Sequence, residues 1–148
     1  MAVVVTGASA IQFVPAIADQ VARLNVFQRS PAYLKNRPDR AYTAWEKTLF
    51  RHVPGAMKLH RAGIYLRYEA QALAFTRFKG LMKWAVGRPF QKLLAKDVAD
   101  VELRAKLTPD YPIGCKRILL SSEYLKTMSK ANVELITEGI KRVTANGI

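Results

Sequence analysis

The chain is poor in the residues that staple or ligate. Its 148 residues include one cysteine, Cys115, and two histidines, His52 and His60. One cysteine excludes an intramolecular disulfide framework. A structural zinc site takes about four Cys or His ligands, so it is excluded too. No apolar run approaches the ~18 residues of a membrane-spanning helix. Met1-Ala2-Val3 carries no basic stretch ahead of its apolar residues and does not read as a secretory signal. A reducing, cytoplasmic setting is the resulting expectation. Acidic residues are also scarce, 11 against 24 Lys and Arg, for a formal net charge of +13.

The positive excess is concentrated. Residues 29–96 hold 15 basic and 3 acidic side chains, whereas residues 1–28 balance and residues 97–148 are close to neutral. Such a block suits a polyanion, whether nucleic acid, anionic lipid or an acidic partner subunit. It equally suits a set of solvated helix faces. Half of the composition is apolar, enough for the core of about one domain.

Along the chain, Ala2 to Val5 is a short β-branched run that reads as a buried strand. Thr6-Gly7-Ala8-Ser9-Ala10 comes next as a turn of small residues. Ile11, Val14, Ile17, Ala18 and Val21 then recur at helical spacing, with Pro15 assigned to the tolerant first turn. Leu24 to Phe27 is a second strand, completing a βαβ unit with a parallel pair. Ser30 to Arg40 reads as loop. Thr43 and Glu46 form a capping box at the next helix, which Pro54-Gly55 ends.

Residues 57–78 read as one long helix with an apolar stripe of Leu59, Ala62, Gly63, Leu66, Ala70, Leu73 and Ala74. Residues 81–95 are helical with a break at Gly87-Arg88-Pro89, and Asp100 to Lys106 is a short charged helix. Thr108 to Arg117 is a turn-rich loop. Ser121 or Ser122 caps a short helix, Asn132 to Thr137 is a strand, and Ile140 to Thr144 is another. Asn146-Gly147 is a strong hairpin signal. With Met1 abutting a core strand and a hairpin signal one residue from the end, the sequence is expected to be truncated at both ends.

Two places could carry chemistry. Small residues between a strand and a helix N-terminus make an anion site for a pyrophosphate. Of the G-x-G-x-x-G/A pattern, Gly7 and Ala10 are present and Val5 stands at the first glycine position. After the second strand, an NAD site would place an acidic residue to hold the ribose 2′-hydroxyl. Gln28-Arg29-Ser30 stands there instead, and a guanidinium beside a hydroxyl suits a 2′-phosphate, hence NADP. The second place is Cys115-Lys116-Arg117, whose adjacent cations repel unless something anionic sits nearby. Cys115 has no general base in view and is expected to be inert packing. Tyr65, Tyr68, Phe75 and Phe78 interleave with basic residues but fit core contacts at helical spacing.

These blocks resemble the NADPH-binding domain of flavin-dependent Baeyer–Villiger monooxygenases, within the wider flavin-containing monooxygenase group. The residues that carry the resemblance are Val4 to Gln12, Val26 to Pro31, Arg37 to Arg40, Leu107 to Arg117 and Ser122 to Glu134. The resemblance implies an α/β, Rossmann-like dinucleotide-binding βαβ sheet at 1–30 and 108–148, with an inserted helical subdomain at 31–107. It implies that Thr6, Gly7, Ala8, Ser9, Ala10 and Gln12 hold the NADPH pyrophosphate. Arg29 and Ser30 would take the 2′-phosphate, and Lys116 would help hold NADPH. Arg117 would face the flavin and stabilise the anionic peroxyflavin.

The family's FAD-binding domain, its histidine-containing signature and the return to the FAD domain are absent, and Val5 replaces a glycine. The missing FAD domain would be the natural packing partner. The implied reaction uses NADPH, FAD and O2 to insert one oxygen atom into a ketone or oxidise a soft heteroatom. The 148 residues alone are expected to be inactive. The inserted basic block turns the expectation away from nucleic acid. The alternative is a non-catalytic basic module on an anionic surface or nucleic acid, in which Lys79 and Lys83 would outweigh Arg29.

Overall fold

The computed structural model describes residues 1–4, 7–37, 39–77, 79–144 and 147–148, and gives only the backbone course for 71–77, 79 and 81. Val5, Thr6, Phe78 and Asn146 therefore lie outside the described residues, as do the side chains of Leu73, Ala74, Phe75 and Lys79. The chain divides into two compact units, Met1–Arg37 with Trp84–Ile148, and Pro38–Lys83. The sequence reading placed its divisions at 30/31 and 107/108.

In the first unit, β1 Ala2–Val3, β2 Leu24–Phe27 and β5 Val133–Ile136 form a three-stranded parallel sheet in the order β1-β2-β5. Ala2 pairs with Asn25 and Val3 with Val26, while Leu24 to Phe27 lies in register with Val133 to Ile136. A parallel pair needs a crossover, and α1, Ala10–Ala18, supplies the one between β1 and β2. Its buried face is Ala10, Ile11, Val14 and Ala18. Pro15 is the sixth residue of this helix rather than a first-turn residue. It removes one backbone bond inside a short helix that tertiary packing sustains. Beyond the helix, the Asn132 side chain donates to the carbonyls of Ala18 (2.7 Å) and Val21 (3.0 Å), which ties the exit of α1 to the entry of β5.

The segment expected to be loop contains β3, Leu34–Lys35, paired in parallel with β4, Leu119–Leu120. Two residues per strand are too few for a sequence pattern to register. The 79–97 segment continues as α4 Lys79–Met82, a π-helical turn Lys83–Gly87 and α5 Arg88–Asp97. Gly87 bends the hydrogen-bonding pattern without ending the helix, and Pro89 sits at its tolerant start. Asp100 caps α6, Val101–Lys106, by accepting from the Glu102 N–H at 2.9 Å. Ser121 Oγ accepts from the Tyr124 N–H at 3.1 Å ahead of α7, Tyr124–Met128. Phe90 and Leu94 of α5, Val98, Leu107 and Tyr124, Leu125 and Met128 of α7 complete one core with Leu24, Val26 and the face of α1.

Ile140 to Thr144 does not form the expected strand. Ile140 and Val143 are exposed, and the described pairing there is a single antiparallel bridge between Thr144 and Gly147. The segment has no neighbouring strand to pair with among the described residues, and a lone bridge satisfies few backbone groups.

The second unit is helical, with α2 Ala44–His52 and α3 Ala56–Arg77. The capping box forms as expected: Thr43 Oγ1 accepts from the Glu46 N–H, and the Glu46 carboxylate accepts from the Thr43 N–H at 2.8 Å. Gly55 turns between the helices at φ 84°. Tyr42, Phe50 and His60 pack together across the turn, Tyr42 edge-on to both of the other rings. The described part of the α3 stripe, Leu59 to Ala70, is not buried. Leu59 is 77% exposed and Leu66 65%, because no described element of the unit covers that face. Tyr65 and Tyr68 are exposed as well, so they are not the expected core contacts. No described helix is long and apolar enough to cross a membrane.

Arg40 hydrogen bonds, reinforced by the Thr43 N–H, draw the Glu46 carboxyl down to about 2. A depressed carboxyl contributes stability that is complete above the ordinary carboxylate range near 4.5 and is lost as pH falls toward 2. NMR amide signals of Ala44–His52 should therefore report loss of α2 between about pH 4.5 and 2. Arg40→Ala should move that loss to higher pH; an unchanged midpoint would contradict the assignment. Leu59→Gln and Leu66→Gln should each change thermal stability by under about 0.5 kcal/mol, as exposed substitutions do. A loss of several kcal/mol in melting experiments would show that the stripe is buried.

Candidate functional site

Two turns leave the sheet at one edge. β1 and β2 run parallel, so the segments after Val3 and after Phe27 both emerge at the carboxyl ends of the strands. In open parallel sheets that edge is where ligands bind.

The first turn leads into α1. Gly7, Ala8, Ser9 and Gln12 are exposed, and Ala10 is buried. The Ile11 N–H reaches the Gly7 carbonyl at 3.3 Å and the Phe13 N–H reaches that of Ser9 at 3.1 Å. Ser9, at the N-cap, makes no side-chain capping bond, and the first turn holds no acidic residue. The partial positive charge at this end of α1 is therefore left uncompensated from within the helix. A Cβ added to Gly7 would meet nothing within 4 Å, so the chain itself does not require a glycine there. An open, uncapped turn of small residues suits close approach by an external anion. Thr6 and the Val5 position belong to the same motif and lie outside the described residues.

The second turn is held more firmly. The Gln28 N–H donates to the Ile136 carbonyl at 2.9 Å, extending the ladder one residue beyond β2. Leu24, Val26 and Gln28 are buried on alternate positions, which turns Arg29 outward by the two-residue period of a strand. The Gln28 side chain is 3% exposed. Its Oε1 accepts from the Tyr124 hydroxyl at 3.4 Å, and its Nε2 has no hydrogen-bond partner among the described residues. It lines a cavity of about 10 Å³ with Ile11 and Tyr124. Burial raises the Tyr124 phenol far above its ordinary range, so it stays a neutral donor.

Arg29 is exposed, and Ser30 next to it receives a 2.6 Å hydrogen bond from the Lys116 ammonium, 86 residues away. Two residues singled out independently in the sequence are thus brought into contact. Lys116 also lies 4.4 Å from the centroid of the Tyr111 ring. The Tyr111 hydroxyl donates to the Pro31 carbonyl at 2.8 Å, and the Tyr33 hydroxyl donates to the Tyr111 carbonyl at 3.1 Å. Burial, and then the nearby Tyr33, raise the Tyr111 phenol, which keeps its proton for that bond. Arg29, Lys116 and Arg117 form no ion pair with a described carboxylate. Among the described residues no carboxylate cancels their charges, as an anion site requires.

Arg117 is exposed beside Lys116, and the described contacts do not join it to the cluster. Cys115 is an exposed free thiol rather than inert packing; its N–H donates to the Pro112 carbonyl at 3.2 Å in a turn completed by Gly114 at φ 99°. His52 bonds the Thr48 carbonyl and His60 the Tyr42 hydroxyl, on separate helices. No metal-ligating cluster occurs among the described residues. Sequence reasoning missed Tyr111, Tyr33 and the Gln28–Tyr124 pair. Their partners are about 80 to 96 residues distant, and no local spacing signals them.

No protein-family model matches the chain. A Baeyer-Villiger monooxygenase of Pseudomonas aeruginosa is 49% identical over 100% of the chain, which covers 28% of that protein. A Baeyer-Villiger monooxygenase of Streptomyces coelicolor is 43% identical over 97% of the chain and is covered to 27%. Among solved structures, OTEMO in complex with FAD and NADP superposes with a TM-score of 0.75 at 21% identity, covering 99% of this chain and 34% of that one. Oxidized steroid monooxygenase bound to NADP superposes with a TM-score of 0.65 at 27% identity, covering 91% of this chain and 32% of that one. By sequence, then, the chain is similar to one part of the Baeyer–Villiger monooxygenases, spanning a little over a quarter of the length of the curated relatives it matches.

Proposed function

We propose that this chain is the NADPH-binding portion of a flavin-dependent monooxygenase. Its sheet would be a Rossmann-like dinucleotide site, and Pro38–Lys83 would lie within the helical insert. The observation that carries the reading is the Ser30–Lys116 contact beside Arg29, at the carboxyl end of β2. A hydroxyl with two cations and no carboxylate matches a 2′-phosphate and rejects the bare 2′-hydroxyl that an acidic residue would select. The NADP complexes of OTEMO and steroid monooxygenase support the same reading.

The residues fit the dinucleotide. The uncapped start of α1, with exposed Gly7, Ala8 and Ser9, presents backbone N–H groups toward a pyrophosphate. Gln12 would border it, and Thr6 and Ala10 complete the motif. Arg29 would pair with the 2′-phosphate through its planar fork, while Ser30 and Lys116 add a hydroxyl and a compact charge. Arg117 would direct a positive charge toward the flavin ring, where negative charge develops during turnover. When bound, NADPH supplies a hydride and FAD the ring that activates O2. For a ketone the balance is ketone, O2, NADPH and a proton giving ester, NADP⁺ and water. FAD would rest mainly on a partner region outside these residues, so the chain by itself would be inactive.

Calorimetric titration of the chain should show saturable binding that prefers NADP⁺ over NAD⁺. Arg29→Ala should weaken NADP⁺ about 10- to 100-fold, the value of a charge-assisted pair, and leave NAD⁺ nearly unchanged. A folded chain that binds neither, or binds both equally, would overturn the reading. The purified chain supplied with FAD and NADPH should consume no NADPH above the rate of free flavin; measurable turnover would show that FAD is held here.

A further inference from the structure

Lys116 carries its charge on a flexible four-carbon stem, and the hydrogen bond to Ser30 alone cannot hold that stem in one place. The second constraint is aromatic. The ammonium lies 4.4 Å from the Tyr111 ring centroid, within the range in which a ring face attracts a cation. The same residue controls the other half of the cluster. Its hydroxyl donates to the carbonyl of Pro31 at 2.8 Å, one residue beyond Ser30. Its ring packs edge-on against Tyr33 at 5.7 Å, and Tyr33 packs edge-on against Phe90 at 5.4 Å, with Phe90 in the core. Tyr33 closes the arrangement by donating to the Tyr111 carbonyl.

We infer that Tyr111 positions Lys116 and Ser30 against each other, and thereby sets the preference for a 2′-phosphorylated dinucleotide over its unphosphorylated counterpart. The inference rests on the proposed NADPH site. The residue's two functions are separable: its ring face holds the ammonium, and its hydroxyl holds the strand exit that carries Ser30. Neither touches the rest of the dinucleotide motif at Gly7 to Ala10, so selectivity should suffer and general binding should not.

The test is calorimetric titration of the full chain with NADP⁺ and NAD⁺, in the parent and in the Lys116→Ala background. Tyr111→Phe keeps the ring and should stay within about threefold of the parent for NADP⁺. Tyr111→Leu removes ring and hydroxyl and should weaken NADP⁺ roughly five- to twentyfold, somewhat beyond the two- to fivefold of an exposed cation–ring contact. NAD⁺ should change less than twofold. Combined with Tyr111→Leu, Lys116→Ala should cost markedly less than in the parent; combined with Tyr111→Phe it should cost the same. A Tyr111→Leu variant that weakens both dinucleotides equally, or leaves NADP⁺ unchanged, or adds independently to Lys116→Ala, would overturn the inference. Should Tyr111→Leu not fold, a series of fluorinated phenylalanines at position 111 keeps the volume and drains the ring face; NADP⁺ affinity should fall with each added fluorine, and a flat series overturns the inference. If the parent binds no NADP⁺, the site reading falls first and the inference with it. If the parent binds and Tyr111 is silent, the site reading stands and only the inference is lost.

Discussion

The parallel pairing of β2 with both β1 and β5 is the constraint on which the unit depends. β2 is the central strand, and its Leu24 and Val26 are wholly buried. Parallel strands cannot be joined by tight turns, so each pairing commands a long crossover. α1 makes one crossover, and some hundred residues between β2 and β5 make the other. The direction of the strands, not the crossover length, decides where the exits meet. Both the turn before α1 and the Arg29-Ser30 segment leave at the same sheet edge. The Asn132 side chain, bonded to two carbonyls at the end of α1, locks the two crossovers together.

Around that edge the chain arranges cations without partner carboxylates. Lys116 is steadied by a hydroxyl and an aromatic face, neither of which cancels its charge. Some other exposed cations of the same unit do have carboxylate partners, such as Arg23 with Glu134 and Lys130 with Asp19. A ring face costs a lysine little hydration and leaves its donors free, which is why it suits a binding site better than an ion pair does.

The helical unit shows the opposite balance. Its capping box and ion pair organise the start of α2 locally, whereas Met57, Leu59, Ile64 and Leu66 of α3 stay exposed. The basic block read from composition therefore contains two different things. Most of its charge lies on helices, while Arg29 stands at the carboxyl end of β2. Net charge could not separate them, because screening and partner geometry are set residue by residue.

Local signals in the sequence determined β2, the capping box at Thr43 and Glu46, the short charged helix near Asp100 to Lys106 and the apolar face of α1, since each depends on residues within a few positions. Spacing also isolated Gly7, Arg29, Ser30 and Lys116 as candidates, and family resemblance ordered them. The two-residue strands β3 and β4 stayed invisible, because such strands exist only through each other. The final strand expected at Ile140 did not form, since local β-propensity has no effect without a neighbour to pair. The fate of the α3 stripe likewise turned on what lies opposite it. Only the tertiary structure brought Lys116 to Ser30 and Tyr111 to Pro31, because chain closure over some 80 residues or more is fixed by core packing and strand order, neither of which a local pattern encodes.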